Sequence, residues 1–152
     1  YRLKEALADL DSFDFVVMDT PPSLNIITIN ALTASDYAVI PAQADIFSLQ
    51  GITQLGQTIE AVKRYTNKDL KVLGIVLTKH NTRSILSRDL QQVITDTAMQ
   101  LHTKVYTQHI REAVAVREAQ AMKQDVFSYD PKSNATQDYD ALMNEIWKDI
   151  NQ

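Results

Sequence analysis

The chain has 152 residues, 45% of them hydrophobic, which is the size of one globular domain with one sizeable core. It contains no cysteine, and this excludes a disulfide framework, a thiolate metal site and an iron–sulfur cluster. Its formal charge of −4 gives no general attraction to nucleic acid or to an anionic membrane, so such binding would need a local basic patch.

Apolar residues recur along the chain with periods that alternate between those of a helix and a strand. Short continuous apolar runs predict buried strands, and apolar residues at steps of three and four predict helices. In chain order we predict helix 3–10, strand 14–18, helix 24–32, strand 37–42, helix 48–65, strand 70–78, helix 86–101, edge strand 104–110, helix 112–122, a turn at 130–134 and a closing helix through 139–150. This alternation predicts an α/β fold with a doubly wound, mostly parallel sheet flanked by helices. No repeat or long linker indicates a domain boundary.

In the sequence VVMDTPPS, residues 16–23, the first predicted strand is followed directly by the carboxylate of Asp19. Two of the four prolines of the chain come after it. Ligands of α/β proteins bind beyond the carboxyl ends of parallel strands, so Asp19 is expected where a ligand would bind. Pro21 and Pro22 restrict the loop beside it. The alternative is a structural role, in which Asp19 caps the next helix and the prolines end the strand.

Several common kinds of site have no support in the sequence. The three glycines are far apart, so the chain has no glycine-rich loop to hold phosphate groups. His80, His102 and His109 do not have metal-ligand spacing, and we expect solvated surface side chains rather than ligands. There is no G-x-S-x-G motif for nucleophilic hydrolysis. Trp147 lies on the closing helix and is expected to be a packing residue.

The stretch FDFVVMDTPPSLNIITINALTASDYAVIPAQADIFSLQGITQL resembles the part of ParA/Soj-type partition ATPases that begins with a strand ending in D-x-P-P-S. The resemblance continues through GIVLTKHNTRSILS and EAQAMKQDVFSYDPKSNATQDY and covers nearly the whole chain. These proteins are deviant Walker-A P-loop ATPases, so the resemblance implies a partial P-loop NTPase fold. Residues 1–152 would be the C-terminal part of a single ParA-like ATPase domain, from the Walker-B strand onward. The missing phosphate-loop strand would lie between the strand ending at Asp19 and the one ending near Pro41.

The function implied by this resemblance is ATP-dependent partition of plasmid or chromosomal DNA. The full-length protein would use ATP and Mg²⁺, form an ATP-dependent homodimer, bind DNA non-specifically and act with a centromere-binding partner protein. It would be a cytoplasmic, nucleoid-associated bacterial protein without a membrane partner. Because most triphosphate contacts come from the absent glycine-rich loop, we expect neither a cofactor nor ATPase activity in this chain alone.

Two alternatives to this function remain open. One is a MinD-like, membrane-associated spatial regulator, and the other is a nucleotide-free interaction module. The closing segment QDYDALMNEIWKDINQ contains four acids and one lysine, Lys148. Anionic lipid would repel such a face, which disfavours the MinD-like regulator.

The resemblance also assigns site residues. Asp19 would be catalytic and would hold magnesium through water. Cofactor contacts would come from residues that follow three strand ends: Thr20, Pro21, Pro22, Thr78, Lys79, Ile110 and Arg111. Related proteins carry an I-P-R-N-type loop at the last of these ends, but here Arg111 replaces the proline and Glu112 follows, which puts the base contacts in doubt. Without the resemblance, Thr78 and Lys79 are also typical of an ordinary surface exit from a sheet.

A basic cluster is the predicted DNA-binding surface of the complete protein. Lys79, Arg83 and Arg88 lie within ten residues whose one acidic neighbour is Asp89. The resemblance places Arg83 on the DNA-binding face of the dimer. Arg117 and Lys123, on the following helix, would extend the surface, although Glu112 and Glu118 weaken it. The alternative is a solvated turn and helix start.

Overall fold

The structure, a computed structural model, describes residues 2–10, 12–21, 23–80 and 85–151, with the backbone alone for residues 85–87. Its elements are α1 (Arg2–Ala8), α2 (Ile26–Ala34), β1 (Tyr37–Ala42), α3 (Ile46–Tyr65), β2 (Lys71–Leu77), α4 (Ile85–Gln100), α5 (Val114–Ala121), α6 (Val126–Tyr129) and α7 (Asn134–Ile150). The predicted helices are all present, with ends shifted by a few residues, and α6 is an addition. In the described ranges, no helix has the length and apolarity needed to span a membrane.

The sheet is parallel, and β2 has a neighbour on each side. β1 pairs with β2 along its whole length. Residues 104–110, which we call the third segment, make two isolated parallel bridges with the strand region on the other side: Ile75 with Val105, and Thr78 with Ile110. The predicted edge strand is thus present as an interrupted parallel neighbour of β2.

Helices cover both faces of this sheet. Successive side chains of a strand point to opposite faces. Ile75 and Leu77 of β2 belong to an apolar cluster with α3 and α4, whereas Val76 belongs to a second cluster with Tyr106, Ile110 and α7. Three layers with parallel strands in the middle are the arrangement of an α/β fold with a doubly wound sheet, so the predicted fold class is confirmed.

Residues 14–18, predicted as a buried strand, are irregular and exposed. Val17 keeps 93% of its surface exposed, and Phe15 and Val16 about half of theirs. Within the described residues, their backbone forms no ladder with β1 or β2. No described strand pairs with this run, so it lacks a hydrogen-bonding neighbour. The prediction of strand 14–18 is therefore wrong for this structure.

Gly74 allows the third segment to lie close against β2. A Cβ at this position would be 2.5 Å from Cε2 of Tyr106, whose ring is fully buried. The Tyr106 hydroxyl donates a hydrogen bond of 2.9 Å to Asp149 of α7. Burial and this bond to a carboxylate raise the pKa of Tyr106, so the hydroxyl remains a donor. The ring is therefore fixed between the strand and α7.

Gly74→Ala is expected to lower the free energy of unfolding by about 1–3 kcal/mol, because the added methyl group would overlap a fixed ring. Gly51→Ala is the matched control, since a Cβ on Gly51 of α3 would have no atom within 4 Å. Alanine in that helix is expected to stabilise the fold by up to about 1 kcal/mol. Urea unfolding measures both variants, and unchanged stability of Gly74→Ala would contradict the packing described here.

Candidate functional site

The carboxyl ends of β1, β2 and the third segment meet at one edge of the sheet, which we call the carboxyl edge. Thr78 follows β2, and its N–H and hydroxyl both donate to the carbonyl of Ala42 at the end of β1, at 2.8 and 3.2 Å. On the other side, the N–H of His80 donates to the carbonyl of Ile110 at 3.1 Å. The loops that follow the three strands are thereby joined to one another.

Arg111, at the end of the third segment, is held by Asp138 of α7. Its Nε and Nη2 donate to the two carboxylate oxygens at 2.9 and 2.7 Å, and its backbone N–H donates to the same carboxylate at 3.0 Å. Gln108 adds a bond of 3.2 Å. Asp138 is only 4% exposed, so these donors satisfy a carboxylate that would otherwise be buried without a partner.

The pKa of Asp138 results from two opposing effects. Burial raises the pKa, while the hydrogen bonds and charge of Arg111 lower it more strongly, so it lies below its ordinary value. Asp138 is therefore ionised at neutral pH. Arg111 is occupied by this carboxylate, and its use as a base-contacting cation would require the pair to open.

Two further acids of α7 hold the third segment. Glu145 accepts hydrogen bonds of 3.2 and 3.0 Å from the backbone N–H groups of Thr107 and Gln108. Asp149 accepts one of 2.7 Å from Lys104 as well as the Tyr106 bond. Three of the four acids that the sequence analysis assigned to a lipid-repelling face, Asp138, Glu145 and Asp149, thus bind residues 104–111 of their own chain.

Asp19 and the two described residues after it, Thr20 and Pro21, are exposed and irregular. The Asp19 carboxylate makes no hydrogen bond or ion pair with any residue that the structure describes. Asn25 caps α2 instead, accepting a bond of 2.9 Å from the N–H of Ile27. The alternative role of Asp19 as a helix cap is therefore wrong, and its carboxylate is available to a ligand. Pro22 lies outside the described residues.

The residues present fit one contact of a magnesium–nucleotide site. Among the described side chains, no group of three or more acids or histidines could hold a metal ion. The free carboxylate of Asp19 is a hard oxygen donor, which suits magnesium through a water molecule. The backbone N–H groups that would hold the phosphates require closely spaced glycines, which this sequence lacks. The groups that hold the phosphates would have to come from residues outside this sequence.

Thr78 and Lys79, predicted together, have different surroundings. The half-buried Thr78 links β2 to β1, as described above, so its hydroxyl donor is already used. Lys79 is exposed and adopts a left-handed backbone conformation with a φ of 48°. Of this pair, Lys79 presents its side chain to solvent at the carboxyl edge.

His80 is not the solvated residue that the sequence predicts. It is 7% exposed, and neither ring nitrogen has a hydrogen-bond partner. Its ring lies 4.5 Å from that of the half-buried His109, centroid to centroid, whereas His102 is exposed as predicted. The backbone bond of His80 to Ile110 turns the chain inward after Lys79, which explains the burial. Burial lowers the pKa of both paired rings, so both are neutral at pH 7.

The predicted DNA-binding cluster is described in part. Lys79, Arg88 and Arg117 are exposed, and Arg83 lies outside the described residues. Arg117 is 3.8 Å from Glu112, an exposed contact that contributes little to stability.

Asp138 is the one site residue that the sequence pattern should have revealed. Its position is on the buried face of α7 with Ala135, Leu142 and Ile146, at helical steps of three and four. An acid within an apolar stripe indicates a buried partner, and that signal was present in the spacing.

The sequence is similar to that of several known proteins. The AAA domain family matches residues 1–72. Two similar proteins are the chromosome partitioning protein ParA of Caulobacter vibrioides strain NA1000, 39% identical over 96% of this chain, and the sporulation initiation inhibitor protein Soj of Bacillus subtilis, 38% identical over 95%. The match covers 55% and 56% of those proteins, so the chain spans about half the length of the curated relatives it matches.

Two solved structures are also similar. Apo McdA from Cyanthece superposes with a TM-score of 0.82 over 95% of this chain and 57% of its own, at 19% identity, which shows the fold alone. Cobyrinic acid a,c-diamide synthase from Mycobacterium smegmatis, with bound ADP and magnesium, gives a TM-score of 0.58 at 42% identity over 63% of this chain and 40% of its own. The chain is thus an α/β protein of the P-loop NTPase type. Its sequence is similar to that of ParA/Soj-type partition proteins along nearly the whole chain, in agreement with the resemblance stated above.

Asp138→Asn is expected to lower the free energy of unfolding near neutral pH. A carboxyl whose pKa is lower in the folded state stabilises the fold fully above its unfolded pKa of about 3.9, and this contribution is lost as the pH falls through the folded pKa. The stability difference from wild type should therefore be largest above about pH 5 and should shrink below about pH 4.

The exposed Asp140, on the same helix, provides the matched control, and Asp140→Asn should change stability by no more than about 0.5 kcal/mol. Denaturant unfolding between acid and neutral pH measures all three proteins. A difference for Asp138→Asn that stays constant across this range would show that its charge is not what holds Arg111.

Proposed function

We propose that this chain is the part, from the Walker-B strand onward, of a single ATPase domain that partitions DNA with the hydrolysis of ATP. The observation that carries the proposal is the similarity to proteins named for chromosome partitioning along nearly the whole chain. The free carboxylate of Asp19 at the end of an exposed loop supports it, because magnesium requires an oxygen donor near the phosphates.

In the proposed protein, Asp19 holds magnesium through water, and the loop from Thr20 to Ser23 responds to the γ-phosphate. Lys79 and the Ile110–Arg111 turn lie at the neighbouring strand ends, where they would contact the nucleotide. Lys79, Arg83, Arg88 and Arg117 contribute the non-specific DNA contacts. ATP binding joins two copies, a centromere-binding protein is the partner, and the site of action is the bacterial nucleoid in the cytoplasm.

Other functions have weaker support. The diamide synthase match covers less of this chain than the partition proteins do, and its bound ADP and magnesium are consistent with nucleotide use by either function. A MinD-like membrane regulator is disfavoured because α7, which would have to reach lipid, uses three acids to bind its own chain. A nucleotide-free module would leave the exposed Asp19 without a role.

ATP hydrolysis by the complete protein that contains this chain tests the proposal. Asp19→Ala is expected to lower kcat by at least about 10–100-fold, the usual effect of removing a group that acts on a metal through its outer shell. The melting temperature should not change, because the exposed side chain makes no hydrogen bond or ion pair with a described residue. Asp14→Ala, an exposed aspartate in the same irregular stretch, is the matched control and should hydrolyse ATP normally.

Two results would count against the proposal. A wild-type protein without DNA-stimulated or basal ATPase activity would contradict the ATPase assignment. Full activity in Asp19→Ala would remove the metal role of Asp19.

A further inference from the structure

Four basic side chains surround an open pocket of about 380 Å³ at the end of α3. We call it the basic pocket, and its defining residues are Lys4, Lys63, Arg64, Tyr65, Lys68 and Asp69. The pocket lies just before the amino end of β2, and the N–H of Lys71 donates there to the carbonyl of Asp36, just before β1. Parallel strands begin at one edge and end at the other, so the basic pocket is opposite the carboxyl edge.

The cations of the basic pocket are not neutralised within the chain. None of the four forms an ion pair with an acid among the described residues, and Asp69 is the one acid in the pocket lining. Glu60, one turn before Arg64 on α3, and Glu5, beside Lys4 on α1, are the nearby acids in sequence. A concentration of unpaired positive charge on a chain with a net charge of −4 attracts polyanions locally.

Helix stability explains only part of this arrangement. Lys63 and Arg64 occupy the last turn of α3, where cations interact favourably with the helix dipole. Lys4 belongs to α1, and Lys68 lies in the turn before β2, so the dipole of α3 does not account for either of them.

The base of the pocket is rigid. Asn67 donates from Nδ2 to the carbonyls of Leu32 and Ser35 at 3.0 and 2.7 Å, which attaches the turn to α2. The Thr66 hydroxyl lies 2.9 Å from that of Thr33. Polar side chains in the turn are thus used to fix its backbone, while the charged side chains stay free for a partner.

The exposed Tyr65 favours nucleic acid over an anionic membrane as the polyanion that fits this pocket. It is 70% exposed, and the Arg64 guanidinium lies 5.3 Å from the centre of its ring. Tyrosine, arginine and lysine together are typical of nucleic-acid backbone contacts. Anionic membranes instead bind basic helices that also insert large aliphatic side chains, and the pocket lining has none.

We propose that the basic pocket is a second DNA-binding surface, which contacts the phosphate backbone with Lys63, Arg64 and Lys68 while the Tyr65 hydroxyl donates to a phosphate oxygen. The proposal rests on the proposed DNA-partition function and adds a surface at the edge opposite Lys79. Phosphate contacts carry no base information, so the binding is independent of DNA sequence.

Fluorescence anisotropy of the complete protein with ATP and a short random duplex DNA tests this surface. The triple variant Lys63→Ala, Arg64→Ala, Lys68→Ala is expected to weaken binding by at least about tenfold at about 0.1 M salt. The steepness of the fall of log K with log salt concentration should also decrease by about one to three, since each lost phosphate contact removes about 0.9 from the magnitude of this slope. The single variant Lys68→Glu, outside the helices, should weaken binding in the same direction without affecting α3.

The control is a variant with the same change in charge at exposed lysines away from the pocket: Lys132→Glu with Lys148→Ala. Circular dichroism and urea unfolding check that all the variants are folded. The wild type and the pocket variant are also titrated with polyglutamate and with phosphatidylserine vesicles.

The results separate failure of the basic pocket alone from failure of the proposed function. Equal affinity and salt slope for the pocket and control variants, beside a wild type that binds DNA, would overturn the basic pocket while leaving the proposed function intact. Loss of vesicle or polyglutamate binding with unchanged DNA binding would also overturn it. A wild type that binds no DNA would contradict the pocket and the proposed function together.

Discussion

Burial of the Asp138 carboxylate is the constraint on which the arrangement of the carboxyl edge depends. An ionised carboxylate removed from water is costly unless several donors reach it. Here the guanidinium and the backbone N–H of Arg111 both do so, which fixes the residue directly after the third segment relative to α7. Ile110 also accepts from His80, and Thr78 donates to Ala42, so hydrogen bonds run continuously from α7 across the edge to the end of β1.

This edge also shows why a proline is not required at the end of the third segment. Proline would restrict the backbone but would lack the N–H that Arg111 donates to Asp138. The chain instead restricts the turn through an ion pair and a backbone bond. Arg111 and Asp138 are each other's ion-pair partner although they lie 27 positions apart in the sequence. Replacing either one alone would therefore leave the other without its partner.

An element could be predicted from the sequence where its hydrogen-bonding and packing partners lie within this chain. β1 was predicted with its observed ends, because its apolar run is paired and covered within this chain. Residues 14–18 have an equally apolar run, but a strand needs a hydrogen-bonding neighbour, and apolar pattern alone does not supply one. His80 shows the same limit at one side chain, since its burial follows from a tertiary contact with Ile110 and not from its polar sequence neighbours.

The distribution of charge explains why the net charge is a poor guide to what this chain binds. Asp138, Glu145 and Asp149 are used inside the molecule, where their partners are backbone N–H groups and the cations of the third segment. Those acids therefore contribute little to the field at the opposite edge of the sheet. The cations there have no ion-pair partners among the described residues, and charges more than about 10 Å away are largely screened at ordinary salt concentrations. A polyanion approaching that edge would encounter the local positive charge rather than the total of −4.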